Sequence, residues 1–216
     1  TEGEISPKAM KRATYTTLAL AAVVGCLMLI YGPWWLVIVG VLIILFALAY
    51  SAGPYPLSHH GLGDLAVILF FGIVPVSFTC YLQTGTWECI NISLPTSVAV
   101  GLLAANVLVV NNYRDMEDDA LVGKRTTVVI FGRKCMSTVY LLSGVAGMAI
   151  MVPVWYVLPL WLLPVPLVYL LLHIRTWKAL CQTKGAGLNP LLGRTAMNLL
   201  LFASMFILAC VCAWNQ

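Results

Sequence analysis

The sequence predicts an all-α fold, a polytopic bundle of transmembrane helices that forms a single domain over residues 1–216. Three observations predict it. The mean hydropathy is +0.94, with 61% hydrophobic and only 9% charged residues. The apolar stretches are long enough to cross a bilayer, which takes roughly 20 residues per helix. They are also continuous, whereas a membrane-spanning strand alternates between apolar and polar residues over about 10 positions.

Seven apolar stretches account for most of the chain. We predict membrane spans at 13–31, 34–50, 64–83, 95–113, 136–156, 159–177 and 195–214. Longer polar loops are then predicted at 51–63, 114–135 and 178–194. Because irregular backbone must avoid lipid, chemistry in such a bundle is expected where these loops gather on one face.

The basic residues predict the orientation of the bundle. All twelve Lys and Arg residues lie before the first span or around the loops that follow the fourth and sixth spans. Alternating the seven spans puts these positions on one side, which the positive-inside rule identifies as cytoplasmic, and leaves the C-terminus outside. The net charge of +4 therefore reflects topology, and no nucleic-acid partner is expected.

The Cys and His residues do not predict a transition-metal site. Seven cysteines include no Cys-x-x-Cys pair, and three histidines are dispersed along the chain. Because the cysteine count is odd and most thiols fall in apolar stretches, the sequence argues against a disulfide framework.

The loop between the second and third spans carries candidate substrate contacts. Gly and Pro interrupt the helix after Tyr50, and Asp64 enters the first turn of the next span. Asp64 either caps that helix or faces a substrate cavity. Tyr50, His59 and His60 are likewise either interfacial side chains or substrate contacts.

Four of the eight acidic residues lie within positions 115–119, at the end of the fourth apolar stretch. Asp115 and Asp119 are four residues apart, so a helix places their carboxylates on one face. A hard divalent cation such as Mg²⁺ would offset the repulsion between them. Asn111 and Asn112 would bring further oxygen ligands from the preceding turn.

The neighbours of this acidic pair divide into two groups. Glu117 is expected to point away from the pair into solvent, and Asp118 is left unassigned. Lys124 and Arg125 follow in the sequence Gly-Lys-Arg-Thr, where two cations beside a carboxylate–Mg²⁺ site suit a diphosphate. The alternative is that these two basic residues serve only to set the topology.

One segment resembles the second aspartate-rich motif of the UbiA superfamily of intramembrane prenyltransferases. It covers residues 111–126, Asn-Asn-Tyr-Arg-Asp-Met-Glu-Asp-Asp-Ala-Leu-Val-Gly-Lys-Arg-Thr, and is followed by Val-Val-Ile-Phe-Gly at 128–132. The Asn-Asn-x-Arg-Asp opening and the Gly-Lys-x-Thr ending are most similar to the branch that prenylates 1,4-dihydroxy-2-naphthoate in menaquinone synthesis. Gly-Leu-Gly-Asp at 61–64 and Arg-Thr at 194–195 extend the resemblance along the chain.

The resemblance implies an Mg²⁺-dependent aromatic prenyltransferase in the bacterial cytoplasmic (inner) membrane, with its active site facing the cytoplasm. It would transfer a polyprenyl group from polyprenyl diphosphate to 1,4-dihydroxy-2-naphthoate, releasing CO2 and diphosphate and giving demethylmenaquinone. Another aromatic acceptor, such as 4-hydroxybenzoate, homogentisate or a porphyrin, is the main alternative. An ion-coupled transporter fits less well, because transporters place acidic sites near the bilayer midplane. A CDP-alcohol phosphotransferase would carry a denser aspartate motif with interspersed glycines.

The resemblance also implies roles for individual residues. The expected Mg²⁺ ligands are Asp115, Asp119, Asn111 and Asn112. Asp115 and Asp119 are also the expected catalytic pair. The expected diphosphate-binding residues are Arg114, Lys124 and Arg125. The residues expected to contact the acceptor or gate its access are Tyr50, His60, Asp64 and Arg194.

The chain also departs from the family pattern. The family has nine transmembrane helices and two aspartate-rich motifs, the first of which lies between helices two and three. The seven predicted spans match helices three to nine, and no first motif is found in the sequence. We therefore expect a family member that is truncated just after its first motif, and we expect residues 1–216 alone to be inactive. Neither the prenyl chain length nor the oligomeric state is predicted.

Overall fold

The computed structural model describes residues 5–214, which form helices joined by short turns. The predicted all-α class is therefore confirmed. In chain order the helices of this range are α1 (Pro7–Leu27), α2 (Leu36–Ser51), α3 (Gly63–Ile68), α4 (Val74–Thr84), α5 (Ile90–Arg114), α6 (Met116–Leu121), α7 (Thr127–Ile150), α8 (Val152–Val157), α9 (Pro164–Gln182) and α10 (Asn189–Trp214).

Each of the seven predicted spans coincides with a helix or with two consecutive helices. Within the described residues, five segments are long and apolar enough to cross a membrane: Pro7–Ile30, Gly63–Thr84, Ile90–Arg114, Thr127–Val157 and Gly185–Cys212. Two of the predicted spans do not meet both criteria. α2 is apolar but only 16 residues long. α9 has 19 residues, but polar side chains in its second half reduce its hydropathy.

The predicted loop 114–135 is wrong in its second half, because α7 begins at Thr127 and not at 136. The Thr126 hydroxyl caps the helix by accepting a hydrogen bond from the Val129 N–H at 3.4 Å. Four apolar residues then form the first turn, and Gly132 interrupts the helix with a φ of 77°. The helical start brings residues 124–127 close to the end of α5, which matters for the site.

The chain divides into two compact units, residues 1–49 and 50–216. In the first unit, none of the residues of α1 or α2 is buried, as expected for apolar helices that face lipid. The second unit contains two buried apolar clusters. The cluster next to the acidic segment consists of Val109, Val110, Tyr113, Val128, Met136, Tyr140, Leu180, Leu188 and Leu191.

A close crossing between two glycines packs the α3–α4 segment against α5. One π-helical turn, Leu69–Ile73, joins α3 to α4 just before a proline, which cannot donate a backbone hydrogen bond. A methyl group on Gly72 would collide with the backbone of Gly101 and lie 2.5 Å from the Ser97 carbonyl oxygen. Small residues at such crossings let transmembrane helices approach closely.

We expect Gly72→Ala to destabilise the second unit, because neither backbone can yield to the added methyl group without separating the helices. Overpacking of this kind typically costs about 1–3 kcal/mol. The thermal midpoint in lipid nanodiscs should fall measurably, and Gly40→Ala is the matched control, since nothing lies within 4 Å of a Cβ at that position. Equal midpoints for the two variants would contradict the packing role of Gly72.

A disulfide joins Cys80, near the end of α4, to Cys89, just before α5. The sequence argues against a disulfide framework, and it does not predict this single pair. The bond closes a short loop on the face that is predicted to lie opposite the basic residues. On that predicted outer face, a disulfide would meet the more oxidising conditions found outside the cytoplasm.

Candidate active site

A cavity of about 320 Å³ lies in the second unit, beside the acidic segment. Its walls come from residues 50–64, from the last two turns of α5 and from the segment that leads into α7. The polar residues on which its chemistry depends are Tyr50, Asp64, Asn111, Asn112, Lys124 and Thr127.

Two hydrogen bonds join the residues around the start of α3 to those around the start of α7. The Arg125 backbone N–H donates to the His59 carbonyl oxygen at 3.0 Å. The Thr127 hydroxyl donates to Asp64 Oδ2 at 2.5 Å, across 63 positions of sequence. Gly61 has a φ of +72°, and a Cβ there would approach a neighbouring side chain to 2.9 Å, so the turn needs glycine. The two loops thus form one continuous wall.

Asp64 presents an unpaired carboxylate oxygen. While Oδ2 is held by Thr127, Oδ1 is buried and has no hydrogen-bond partner in the part of the chain that the structure describes. The Tyr50 hydroxyl is close by, 3.5 Å from where a methyl group on Gly63 would lie. Of the two interpretations of Asp64, the structure favours a residue at a cavity wall. Its contact with a substrate remains a prediction.

Asp115, the first member of the acidic pair, is held by an arginine. Arg114 donates from Nε to Asp115 Oδ1 at 2.6 Å and from Nη2 to Oδ2 at 2.7 Å. The same guanidinium also binds the side-chain oxygens of Asn111 and Asn189, at 3.0 and 3.1 Å. The hydrogen bonds from Arg114 keep the pKa of Asp115 below its usual range, so its carboxylate is ionised at neutral pH.

Asp119, the second member of the pair, is buried, with 8% of its surface exposed. Lys124 Nζ donates to its Oδ1 at 3.0 Å, and the Lys124 backbone N–H donates to its carbonyl oxygen at 2.8 Å. Its Oδ2 is buried without a hydrogen-bond partner among the described residues. A backbone hydrogen bond of 2.8 Å from the Asp119 N–H to the Asp115 carbonyl oxygen links the two residues in an i to i+4 relation. Their carboxylates, however, are bound by different cations, Arg114 and Lys124.

The other two acids of the segment face solvent. As predicted, Glu117 points away from the pair, and 65% of its side chain is exposed. The sequence did not predict its partner, Arg133, which donates to its two carboxylate oxygens at 2.5 and 2.6 Å. These hydrogen bonds keep the pKa of Glu117 below its usual value. Asp118 is exposed.

A sequence model of the UbiA prenyltransferase family matches residues 1–187. The chain belongs to the UbiA prenyltransferase family. The resemblance carried by residues 111–126 is thereby confirmed, and with its long apolar helices the protein is an integral membrane protein.

Several curated UbiA-family relatives carry the name 1,4-dihydroxy-2-naphthoate octaprenyltransferase. The Mycobacterium tuberculosis protein is 38% identical over 127 residues, which is 59% of this chain and 43% of the relative. The Haemophilus influenzae protein is 45% identical over 93 residues, 43% of this chain and 30% of the relative. The Escherichia coli protein is 36% identical over 137 residues, 61% and 44% respectively. The chain thus spans less than half the length of these relatives. No solved structure matches it.

The site offers Mg²⁺ oxygen donors at both aspartates of the UbiA-family motif. Asp119 has an oxygen without a hydrogen-bond partner among the described residues, whereas both oxygens of Asp115 are bound by Arg114. The described residues include no group of three or more His, Cys, Asp or Glu side chains that could hold a metal. Mg²⁺ is, however, commonly bound by one or two carboxylates together with water and substrate phosphates. The buried, unpaired Oδ2 of Asp119 suits such a cation. Both oxygens of Asp115 accept hydrogen bonds from Arg114, so a cation at Asp115 would compete with the guanidinium.

Six of the predicted residues do not line the cavity. Asp115, Asp119 and Arg114 belong to the acidic segment, and the other three are His60, Arg125 and Arg194. The His60 ring stacks on Tyr55, with ring centroids 3.4 Å apart. The Arg125 side chain is exposed, and only its backbone fastens the wall. Arg194 lies with Arg175 at a separate cavity of about 330 Å³ between α9 and α10. The expected substrate contacts of these three residues remain predictions that the geometry does not favour.

Sequence reasoning missed Thr127, which orients Asp64. The sequence feature that could have indicated this role is the pair of threonines, Thr126 and Thr127, that follows Gly-Lys-Arg. Because Thr126 caps α7, the hydroxyl of the second threonine is left for the opposite loop. His60 was predicted as a site residue and His59 was not, but it is His59 that lines the cavity, and its carbonyl oxygen accepts the hydrogen bond from the Arg125 N–H.

Proposed function

We propose that the protein transfers a polyprenyl group from a polyprenyl diphosphate to 1,4-dihydroxy-2-naphthoate, releasing diphosphate and CO2 and giving demethylmenaquinone. The names of its relatives and the chemistry of the cavity support this proposal. Transfer to another aromatic acceptor is an outcome that the test described below distinguishes.

One observation carries the proposal, namely the position of Lys124. Its ammonium group binds Asp119 at 3.0 Å, and the residue also lines the cavity to which Asp64 contributes. A single cation thus connects the acidic segment to the space where an acceptor ring would lie. That is the arrangement needed to bring a diphosphate and an aromatic ring together.

The diphosphate would bind on the acidic side of the cavity. Lys124 and Arg114 would offset the negative charge that a leaving diphosphate develops, and Arg114 can present two parallel N–H groups to phosphate oxygens. Asp115 and Asp119, with Asn111 and Asn112 as oxygen donors, would hold Mg²⁺. When bound, Mg²⁺ supplies Lewis-acid stabilisation of the leaving diphosphate.

The acceptor would bind on the opposite wall, against Tyr50 and Asp64. The allylic C–O bond breaks with its electron pair moving to the diphosphate, and a ring carbon of the acceptor supplies the pair for the new C–C bond. Loss of CO2 from that carbon returns an electron pair to the ring and restores aromaticity. The apolar bundle keeps water away from the allylic cation, which water would otherwise trap.

We place the site at the cytoplasmic face of the bacterial inner membrane, with the C-terminus outside. The distribution of the twelve basic residues supports this orientation. We further propose that residues 1–216 alone do not turn over, because Asp115 and Asp119 form only one of the two aspartate-rich motifs of the family.

The test uses the protein from the complete open reading frame that contains this chain, reconstituted in nanodiscs with an allylic diphosphate and Mg²⁺. Three acceptors are compared: 1,4-dihydroxy-2-naphthoate, 4-hydroxybenzoate and homogentisate. We expect transfer to the naphthoate, with one CO2 released per prenyl group, and no transfer in EDTA. Transfer to 4-hydroxybenzoate or homogentisate but not to the naphthoate would overturn the assignment of the acceptor. Full activity in EDTA would overturn the role of Mg²⁺.

A further inference from the structure

We propose that Asp64 is the proton acceptor of the reaction: it takes the proton of the acceptor's ring hydroxyl while the new C–C bond forms, and it later returns that proton. The inference rests on the proposed function and assigns a catalytic role to a carboxylate that the acidic motif does not include.

Asp64 has one carboxylate oxygen without a partner. Oδ1 is buried and has no hydrogen-bond partner among the described residues, although its residue lines a cavity large enough for a ligand. A buried carboxylate oxygen without a donor is unfavourable. A ligand that brings an O–H group to this oxygen would satisfy it.

Three carboxylates in this region differ in their partners. Asp115 is bound by the Arg114 guanidinium and Asp119 by the Lys124 ammonium group. Asp64 forms no ion pair with another described residue, and its donor is the neutral hydroxyl of Thr127. A carboxylate held by a cation is stabilised in its charged form and resists protonation. Asp64 lacks that constraint, so it is the carboxylate best suited to accept a proton.

The Asp64 carboxylate is held on one side only. The Thr127 hydroxyl holds Oδ2 at 2.5 Å, and this hydrogen bond fixes the carboxylate plane and leaves Oδ1 free. Asn111, Asn112 and Lys124 line the same cavity as Asp64. The Tyr50 hydroxyl lies on the Asp64 side, near Gly63. A phenolic acceptor can therefore place its hydroxyl at Oδ1 while its ring faces the diphosphate side.

The reaction supplies a proton for Asp64 and later needs it back. As the ring carbon bonds to the prenyl carbon, the neighbouring O–H bond breaks, and its electron pair forms a C=O bond. The proton moves to Asp64, and the electron pair of the allylic C–O bond leaves on diphosphate. When the C–CO2 bond breaks, its pair re-forms the ring double bond, and the oxygen takes the proton back from Asp64. The carboxylate is regenerated, and no oxidant or reductant is required.

The test compares wild type with Asp64→Asn in the nanodisc assay, using acceptors whose ring hydroxyl becomes steadily more acidic through ring substitution. General acid–base catalysis contributes about 100-fold or more, so we expect Asp64→Asn to slow transfer by about that factor with the least acidic acceptor. The deficit should shrink to about a few-fold with the most acidic one, because an ionised hydroxyl needs no base. Asp64→Glu should retain part of the activity.

Cleavage of the allylic diphosphate without acceptor is the second measurement. It should be unchanged in Asp64→Asn, because the diphosphate side of the site is intact. Asp118→Asn is the matched control, since it removes an exposed carboxylate outside the cavity, and it should change neither rate. A deficit that is equal across the acceptor series would overturn the proposal, and so would the loss of acceptor-independent cleavage in Asp64→Asn.

If the proposed function is wrong, the acceptor comparison gives a different result from the one that would overturn the role of Asp64. If wild type prenylates 4-hydroxybenzoate and not the naphthoate, the acceptor assignment fails, but the same comparison can be made with substituted phenols. If Asp64→Asn does not insert into nanodiscs, Asp64→Ser carries the same test, because it also removes the carboxylate. Wild-type-like transfer in either variant with the least acidic acceptor would overturn the role of Asp64.

Discussion

Replacing Asp119 with alanine is expected to lower Mg²⁺-dependent prenyl transfer by at least about 100-fold, as typically follows the loss of a group that stabilises transition-state charge. Asp119 is buried, and its free Oδ2 is the site at which the described residues best accept a cation. The substitution also leaves the Lys124 ammonium group without its carboxylate. We expect Asp115→Ala to have an effect of similar size, measured as turnover at saturating Mg²⁺ in nanodiscs.

Glu117→Gln is the control for both substitutions, since it removes a third carboxylate from the same five residues. Because Glu117 is exposed and is bound by Arg133, its loss should change turnover by no more than about two- to threefold, in line with the small energies of exposed ion pairs. Circular dichroism and nanodisc insertion should be unchanged in all three variants. Near-normal turnover in both aspartate variants, or a Glu117→Gln defect as severe as theirs, would refute the assignment of the pair.

The helices and the acidic motif could be predicted from the sequence because both are local signals. Continuous apolar runs indicate spans, and the spacing of Asp115 and Asp119 predicts the i to i+4 relation that their backbone hydrogen bond shows. The predicted start of α7 is wrong because it also used a local signal, the hydropathy of the stretch. Its first turns carry basic residues, which reduce hydropathy, while the capping role of Thr126 is visible only in the structure.

The contacts between distant residues could not be predicted, because a single sequence carries no signal for them. The Thr127–Asp64 hydrogen bond joins positions 63 residues apart. Nothing in the composition distinguishes Arg114, which binds Asp115, from Arg194, which lies at another cavity. The sequence indicated which residues could bind metal and diphosphate, whereas the pairing of each carboxylate with its own cation depends on side-chain geometry.

We expect Arg114→Gln to impair use of the allylic diphosphate while it improves the apparent affinity for Mg²⁺. The specificity constant kcat/KM for the allylic diphosphate should fall by about 30- to 100-fold, since charge-assisted bidentate hydrogen bonds are among the strongest. The Mg²⁺ concentration for half-maximal activity should also fall, because both Asp115 oxygens are released from the guanidinium. Titrations of Mg²⁺ and of the diphosphate, each at saturating acceptor, measure the two effects.

These two opposite effects separate a specific role for Arg114 from a general loss of positive charge. Lys134→Gln removes an exposed cation from the next helix and should leave both constants unchanged, because the structure shows no ion pair for that side chain among the described residues. Arg114→Lys keeps the charge but cannot bind Asp115 through two parallel N–H groups, so we expect intermediate values. If the Mg²⁺ requirement instead rises in Arg114→Gln, the guanidinium helps to assemble the metal site and does not compete with the cation for Asp115.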